Sequence, residues 1–156
     1  MTRRWRATLD EARLSALAAA LALAAPRGFV LHLRGELGAG KTTFARAFVR
    51  ALLPGTRVKS PSFALVEPYA LPEGALYHID LYRISDASEI EALGVRELAG
   101  DDCGVLIEWP ERARGAIAPP DLELLLEHAD DARRLDLAAP SAKGREWLDR
   151  VAAGGS

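Results

Sequence analysis

Gly35-Glu36-Leu37-Gly38-Ala39-Gly40-Lys41-Thr42 (GELGAGKT) fits G-x-x-x-x-G-K-[ST] at every fixed position, and its flanks decide the fold. Phe29 to Leu33 (FVLHL) reads as a short buried strand, and Thr43 to Leu53 as a helix ended by Pro54 and Gly55. Strand, glycine-rich turn and helix in that order make a phosphate cradle. The glycines let successive backbone N–H groups turn inward, and the helix points the positive end of its dipole at the same anion. Lys41 would bring an ammonium to the β- and γ-phosphates of a nucleotide, and the Thr42 hydroxyl would ligate Mg²⁺.

The alternation continues on both sides. Downstream, Phe63 to Tyr69 and Ala75 to Leu81 are β-rich segments separated by a loop with Pro72 and Gly74. Asp86 to Leu98 is helical, with Asp86 and Glu89 resembling a capping box and Gly94 a break. Gly104 to Trp109 (GVLIEW) is another apolar strand, closed by Pro110. Asp121 to His128 and Arg133 to Ala138 read as two strands around a polar turn, and Ser141 to Ala152 as a closing helix. Upstream, Thr8 and Glu11 form a capping box for a helix carrying Leu14, Leu17 and Leu21, which Pro26 stops. Arg3, Arg4 and Arg6 before it offer the weakest of the candidate functions, a direct nucleic-acid contact, and equally read as a solvated arm. Asp10, Glu11 and Arg13 interrupt what would otherwise resemble a signal peptide, and the apolar run is too short to span a membrane. These elements predict an α/β, three-layer P-loop NTPase-like fold, with a mostly parallel central sheet and antiparallel additions. Residues 1–156 are expected to form one P-loop domain.

Composition narrows the function. With 49% hydrophobic residues, 13 Gly, 9 Pro and one Cys, the chain is neither disordered, collagen-like nor a disulfide scaffold. A net charge of -2 argues against direct nucleic-acid binding as its main task, because phosphate contacts want a clustered basic excess. Lysine occurs only at Lys41, Lys59 and Lys143 among 20 basic residues, so an arginine-biased chain has placed a lysine where a compact charge suits phosphate better than a planar fork.

A phosphate cradle also needs a carboxylate for its metal at the end of a neighbouring strand. Asp80 and Glu108 each end an apolar run and are the two candidates. Lys59-Ser60-Pro61-Ser62-Phe63 lies where a switch loop could sense the γ-phosphate, and Ser-Pro-Ser equally reads as a plain turn.

Four segments, Gly35 to Thr43 (GELGAGKTT), Val58 to Tyr69 (VKSPSFALVEPY), Tyr77 to Arg83 (YHIDLYR) and Ile107 to Glu111 (IEWPE), in this order and spacing, resemble the TsaE family. That family is the small P-loop ATPase of bacterial tRNA threonylcarbamoyladenosine synthesis. The resemblance implies a cytoplasmic, Mg²⁺-dependent ATP hydrolase that acts with TsaB and TsaD and supports turnover of their transferase complex. It meets tRNA only through those partners. It further implies that Leu37, Gly38, Ala39, Gly40, Lys41, Thr42 and Thr43 hold ATP. Asp10, and Arg133 or its neighbour Arg134, would close over the base. Thr42 and Glu108 would hold Mg²⁺, Lys41 and Asp80 would serve catalysis, and Trp109 would flank the site. Ser62 stands where the family usually has Thr, keeping the hydroxyl and losing a methyl. Arg83 and Arg112 are possible arginine fingers. A finger supplied by a partner would leave the isolated protein a weak hydrolase. Two other readings stay open at this point. One is a nucleotide-gated structural subunit without useful hydrolysis. The other is a small-molecule kinase, for which no lid segment is evident.

Overall fold

The computed structural model describes residues 2–58 and 65–154. Its strands are β1 (Arg3–Leu9), β2 (Phe29–Gly35), β3 (Val66–Leu71), β4 (Gly74–Asp80), β5 (Cys103–Glu108), β6 (Leu122–Ala129) and β7 (Ala132–Ala139). The α-helices are α1 (Glu11–Leu23), α2 (Lys41–Leu52), α3 (Ala87–Leu93) and α4 (Ala142–Gly154). Among the described residues the strands form one sheet in the order β1-β7-β6-β2-β5-β4-β3.

The first five residues of β2 are all buried, which suits a strand covered on both faces and flanked by β5 and β6. Its pairings with both neighbours are parallel, as is that of β4 with β5. The pairings β1–β7, β6–β7 and β3–β4 are antiparallel. The sheet is therefore mixed with a partly parallel core, and the expectation of a mostly parallel sheet is corrected. Hairpins at both flanks and one additional edge strand account for the difference.

That edge strand is β1. The segment read as a solvated arm pairs along its whole length with β7, and Arg4 and Arg6 both donate to Asp136 at 3.2–3.3 Å. Strand conformation through Leu9 also moves the helix start. The N-cap of α1 is Asp10, whose side chain accepts from the Arg13 N–H at 2.8 Å, and Thr8 lies inside β1. The helix closes before Pro26, as the ring requires.

Side-chain alternation along the sheet sends apolar residues to two cores. Phe29, Leu31 and Leu33 of β2 join Leu14, Leu21, Phe44, Phe48 and Trp147 under α1, α2 and α4. Val30, Val105, Ile107 and Ile79 point the other way, toward Ile90 and Val95 around α3. Trp147 ties the first core together: it is fully buried, lies 4.9 Å from the Phe29 ring, and donates its indole N–H to the Leu21 carbonyl at 2.9 Å. Burial of such a ring with its donor satisfied stabilises by several kcal/mol, on the order of 3–5 for truncation to Ala.

Candidate functional site

The turn from β2 into α2 carries the glycine-rich motif. Gly38 (φ 80°) and Gly40 (φ 110°) adopt left-handed conformations that disfavour a side chain, and a Cβ on Gly40 would stand 3.2 Å from Leu14 Cδ2. Between them Ala39 is fully buried in the first core and anchors the turn against it. Gly40 is the N-cap of α2, so the helix begins at Lys41, two residues earlier than its apolar pattern indicates. Phe44, Ala45, Phe48 and Val49 form the buried stripe that fixes this helix on the sheet, so the helix N-terminus and its free N–H groups have a set direction.

Register brings two carboxylates to the same edge. The parallel pairing of β2 with β5 sets Leu33 opposite Glu108, and that of β5 with β4 sets Glu108 opposite Asp80. Asp80 and Glu108 thus emerge beside the glycine-rich turn, at the carboxyl ends of the strands where open α/β sheets bind ligands. A cleft of ≈ 210 Å³ is lined by Leu37, Gly38, Gly40, Lys41, Thr42, Thr43, Asp80, Tyr82, Glu108, Trp109 and Arg133.

Lys41 is only 4% exposed. Its ammonium donates to the carbonyls of Gly35 and Glu36 and lies 4.1 Å from the centroid of the Trp109 ring. Burial pushes its pKa below the usual lysine range, while the charges of Glu108, Glu111 and Asp80 pull it back up. Asp80 is shifted the other way. Burial raises its pKa, the Tyr82 N–H it accepts at 2.9 Å opposes the rise, and the charge of Glu108 adds to it. Glu108 is 2% exposed and its Oε2 lies 2.6 Å from Nε2 of His78. Trp109 follows at φ 61°, a strained left-handed conformation held by its N–H bond to the Leu33 carbonyl at 3.2 Å. The kink lays its ring 4.9 Å from that of Tyr82, with the Arg112 guanidinium over both.

Most residues singled out from the sequence are therefore gathered in one cleft. Ala39, Asp10, Arg83 and Arg112 do not line it: Ala39 faces the core, the Asp10 carboxylate caps α1, and the Arg112 guanidinium lies over the rings of Tyr82 and Trp109. Arg133 does reach the cleft, where its guanidinium approaches the Gly38 carbonyl at 3.5 Å. The stretch from Lys59 to Phe63 lies outside the described residues. Tyr82 and His78 had no assigned place, although the period-2 spacing of His78 and Asp80 already puts both on one face of a strand.

The donors suit the groups the motif implies. Two carboxylates and a hydroxyl are oxygen ligands of the kind a hard divalent cation takes. The left-handed backbone at Gly38 and Gly40 gives the kind of turn whose N–H groups can face phosphate oxygens.

The sequence family described as Threonylcarbamoyl adenosine biosynthesis protein TsaE matches residues 8–135. The chain belongs to the TsaE family. The TsaE protein of Haemophilus influenzae, described as a tRNA threonylcarbamoyladenosine biosynthesis protein, is 37% identical over 128 residues, covering 82% of this chain and 81% of the relative. The protein of the same description from Bacillus subtilis is 35% identical over 137 residues, covering 87% and 85%. The crystal structure of Bacillus subtilis YdiB superposes with a TM-score of 0.77 at 26% identity, over 100% of this chain and 97% of that one. Its α/β fold is thus shared by this TsaE chain, mixed seven-stranded sheet included. Membership places the role of the chain in tRNA threonylcarbamoyladenosine biosynthesis. Among the described residues no helix is long and apolar enough to cross a membrane.

Proposed function

We propose that the chain is a Mg²⁺-dependent ATP hydrolase of this pathway, a single P-loop domain that works in the cytoplasm with TsaB and TsaD to support turnover of their threonylcarbamoyl transferase complex. The observation that carries the reading is the convergence of a glycine cradle, a buried lysine and two strand-end carboxylates in one cleft. Leu37 to Thr43 wrap the phosphates with backbone N–H groups, and α2 adds its positive end. Lys41 neutralises the β- and γ-phosphates, for which it must exchange the carbonyls of Gly35 and Glu36 for phosphate oxygens. Thr42 and Glu108 hold Mg²⁺, which supplies charge neutralisation on the phosphates when bound. Asp80, with one oxygen on the Tyr82 N–H, orients the attacking water through its other oxygen. Arg133 flanks the nucleotide from β7.

Within the cleft Arg133 is the arginine present, and Arg112 sits on the aromatic pair beside it. Arg133 donates to the carbonyls of Ala132 and Gly38 and Arg112 lies over aromatic rings, so either would have to be redirected to reach a phosphate. Hydrolysis by the isolated chain is accordingly expected to be slow and to rise when TsaB and TsaD are added. The test is ATP turnover and tRNA threonylcarbamoyladenosine formation with and without the purified TsaB–TsaD pair. Fast turnover that ignores the pair, or modification that proceeds over many cycles without this chain, would overturn the reading.

A further inference from the structure

His78 lies on β4 two residues before Asp80, on the same face of the strand, and is 1% exposed. Its Nε2 stands 2.6 Å from Glu108 Oε2 on the neighbouring strand, short for a hydrogen bond between a ring nitrogen and a carboxylate. Its Nδ1 is also buried, and among the described residues it has no hydrogen-bond partner. With the Glu108 carboxylate as acceptor, we assign the proton to Nε2 and a lone pair to Nδ1, since a proton on Nδ1 would be a buried donor with no partner among the described residues. An unpartnered buried nitrogen weighs against folding, and an apolar side chain at this position would avoid it. What the imidazole provides in exchange is a single directed donor to a carboxylate that is itself sealed from water.

We infer that His78 is a positioning residue for Glu108: its Nε2–H holds Oε2, fixes the plane of the carboxylate, and leaves Oε1 as the oxygen available to a divalent cation. A glutamate side chain has three rotatable bonds, and Glu108 ends its strand directly before the kink at Trp109. Held from one side by a rigid ring on β4, it presents a single orientation to the cleft. Partners of this kind typically tune metal affinity by about 10–100-fold.

The inference rests on the reading of Glu108 as the metal carboxylate, and the experiment separates the two. Binding of a fluorescent ADP analogue is titrated with Mg²⁺ and with EDTA, and the ratio of the two affinities is the readout. His78→Phe, which keeps the ring and removes the donor, is expected to cut that ratio by about 10-fold or more while leaving the Mg²⁺-free affinity within about twofold. His78→Gln, which returns an N–H at a similar reach, is expected to restore most of it. If Glu108→Ala abolishes the Mg²⁺ enhancement and His78→Phe keeps it, the positioning role is overturned and the site stands. An equal loss with and without Mg²⁺ in His78→Phe would reduce the ring to packing and overturn it too. If Glu108→Ala retains the enhancement, the metal assignment fails and the inference fails with it.

A measurement on the unaltered protein guards against variants that do not fold. The chain has three histidines, so ¹⁵N-histidine spectra are simple. The Nε2 resonance of His78 should shift with Mg²⁺ and ADP beyond its shift with ADP and EDTA. Identical spectra in the two conditions would overturn the proposal.

Discussion

The sheet carries a polar cluster on each face at the end of β2, and the two are built on opposite principles. Behind the sheet, away from α2, Arg34 donates to Glu111 at 3.3 Å and to Glu123 at 3.2 Å, and His32 bonds the Ala118 carbonyl at 3.1 Å. These side chains border a cavity of ≈ 440 Å³, larger than the glycine-turn cleft in front. Size therefore does not mark the site. Arg34, Glu111 and Glu123 behind the sheet answer one another, whereas Lys41 in front rests on carbonyls and the face of Trp109, and among the described residues it forms no ion pair with a carboxylate. Asp80 likewise has a backbone N–H rather than a cation. A cluster whose charges satisfy each other holds the fold together. One whose lysine and carboxylates stand near each other without closing an ion pair is arranged for a ligand that enters between them.

Three substitutions bear on that contrast. The largest effect is expected from Lys41→Ala, which should weaken nucleotide binding by about 100-fold, on the order of 2.7 kcal/mol, while hardly lowering thermal stability. Calorimetric titration beside a melting curve reads both. Loss of stability without loss of affinity would make the front cluster structural and erase the distinction. Arg34→Ala should do the converse, costing about 1 kcal/mol, or about 2–4 °C, with nucleotide affinity within about twofold. Its guanidinium is about one-third exposed, so solvent screening keeps the figure small.

Asp80→Asn gives the smallest and most diagnostic change. Because the folded-state pKa of Asp80 lies above its unfolded value, its contribution favours folding below the unfolded value and is lost as pH rises through the folded one. At neutral pH the charged carboxylate therefore works against the fold. Asn retains the oxygen that accepts the Tyr82 N–H and removes the buried charge, so the variant should unfold at higher urea than the parent at pH 7, with the gap closing on acidification. It should also hydrolyse ATP more slowly. A variant less stable at pH 7 would mean that attraction to Lys41 outweighs burial, and the front would resemble the back.

Local chemistry made much of this readable in advance. Strand, glycine turn and helix announce the cradle, and Asp80 and Glu108 are visible as acids closing apolar runs. Relations between distant segments were not visible. Trp5, Ala7 and Leu9 alternate with Arg4, Arg6 and Thr8, a local period-2 signal for a strand, but what the strand pairs with is not local, because its partner Asp136 lies 130 residues away from Arg6. Thr8 and Asp10 can both cap a helix, and only the reach of β1 through Leu9 selects Asp10. The pairing of His78 with Glu108 depends on β4 and β5 being neighbours in parallel, a choice made by sheet topology and not by either segment.

The position of β1 also orders events during synthesis. Among the described residues it pairs only with β7, so while the chain is extended from its N-terminus this strand has no edge to join until Ala132–Ala139 has been made. Closing so long a loop is entropically slow, and the edge is expected to dock last onto a sheet whose other strands already meet. Until then the charges at positions 3, 4 and 6 would keep an unpaired strand in water, and once β7 arrives two of them acquire Asp136 as a partner, so the same arginines serve the unfinished polypeptide and the finished one.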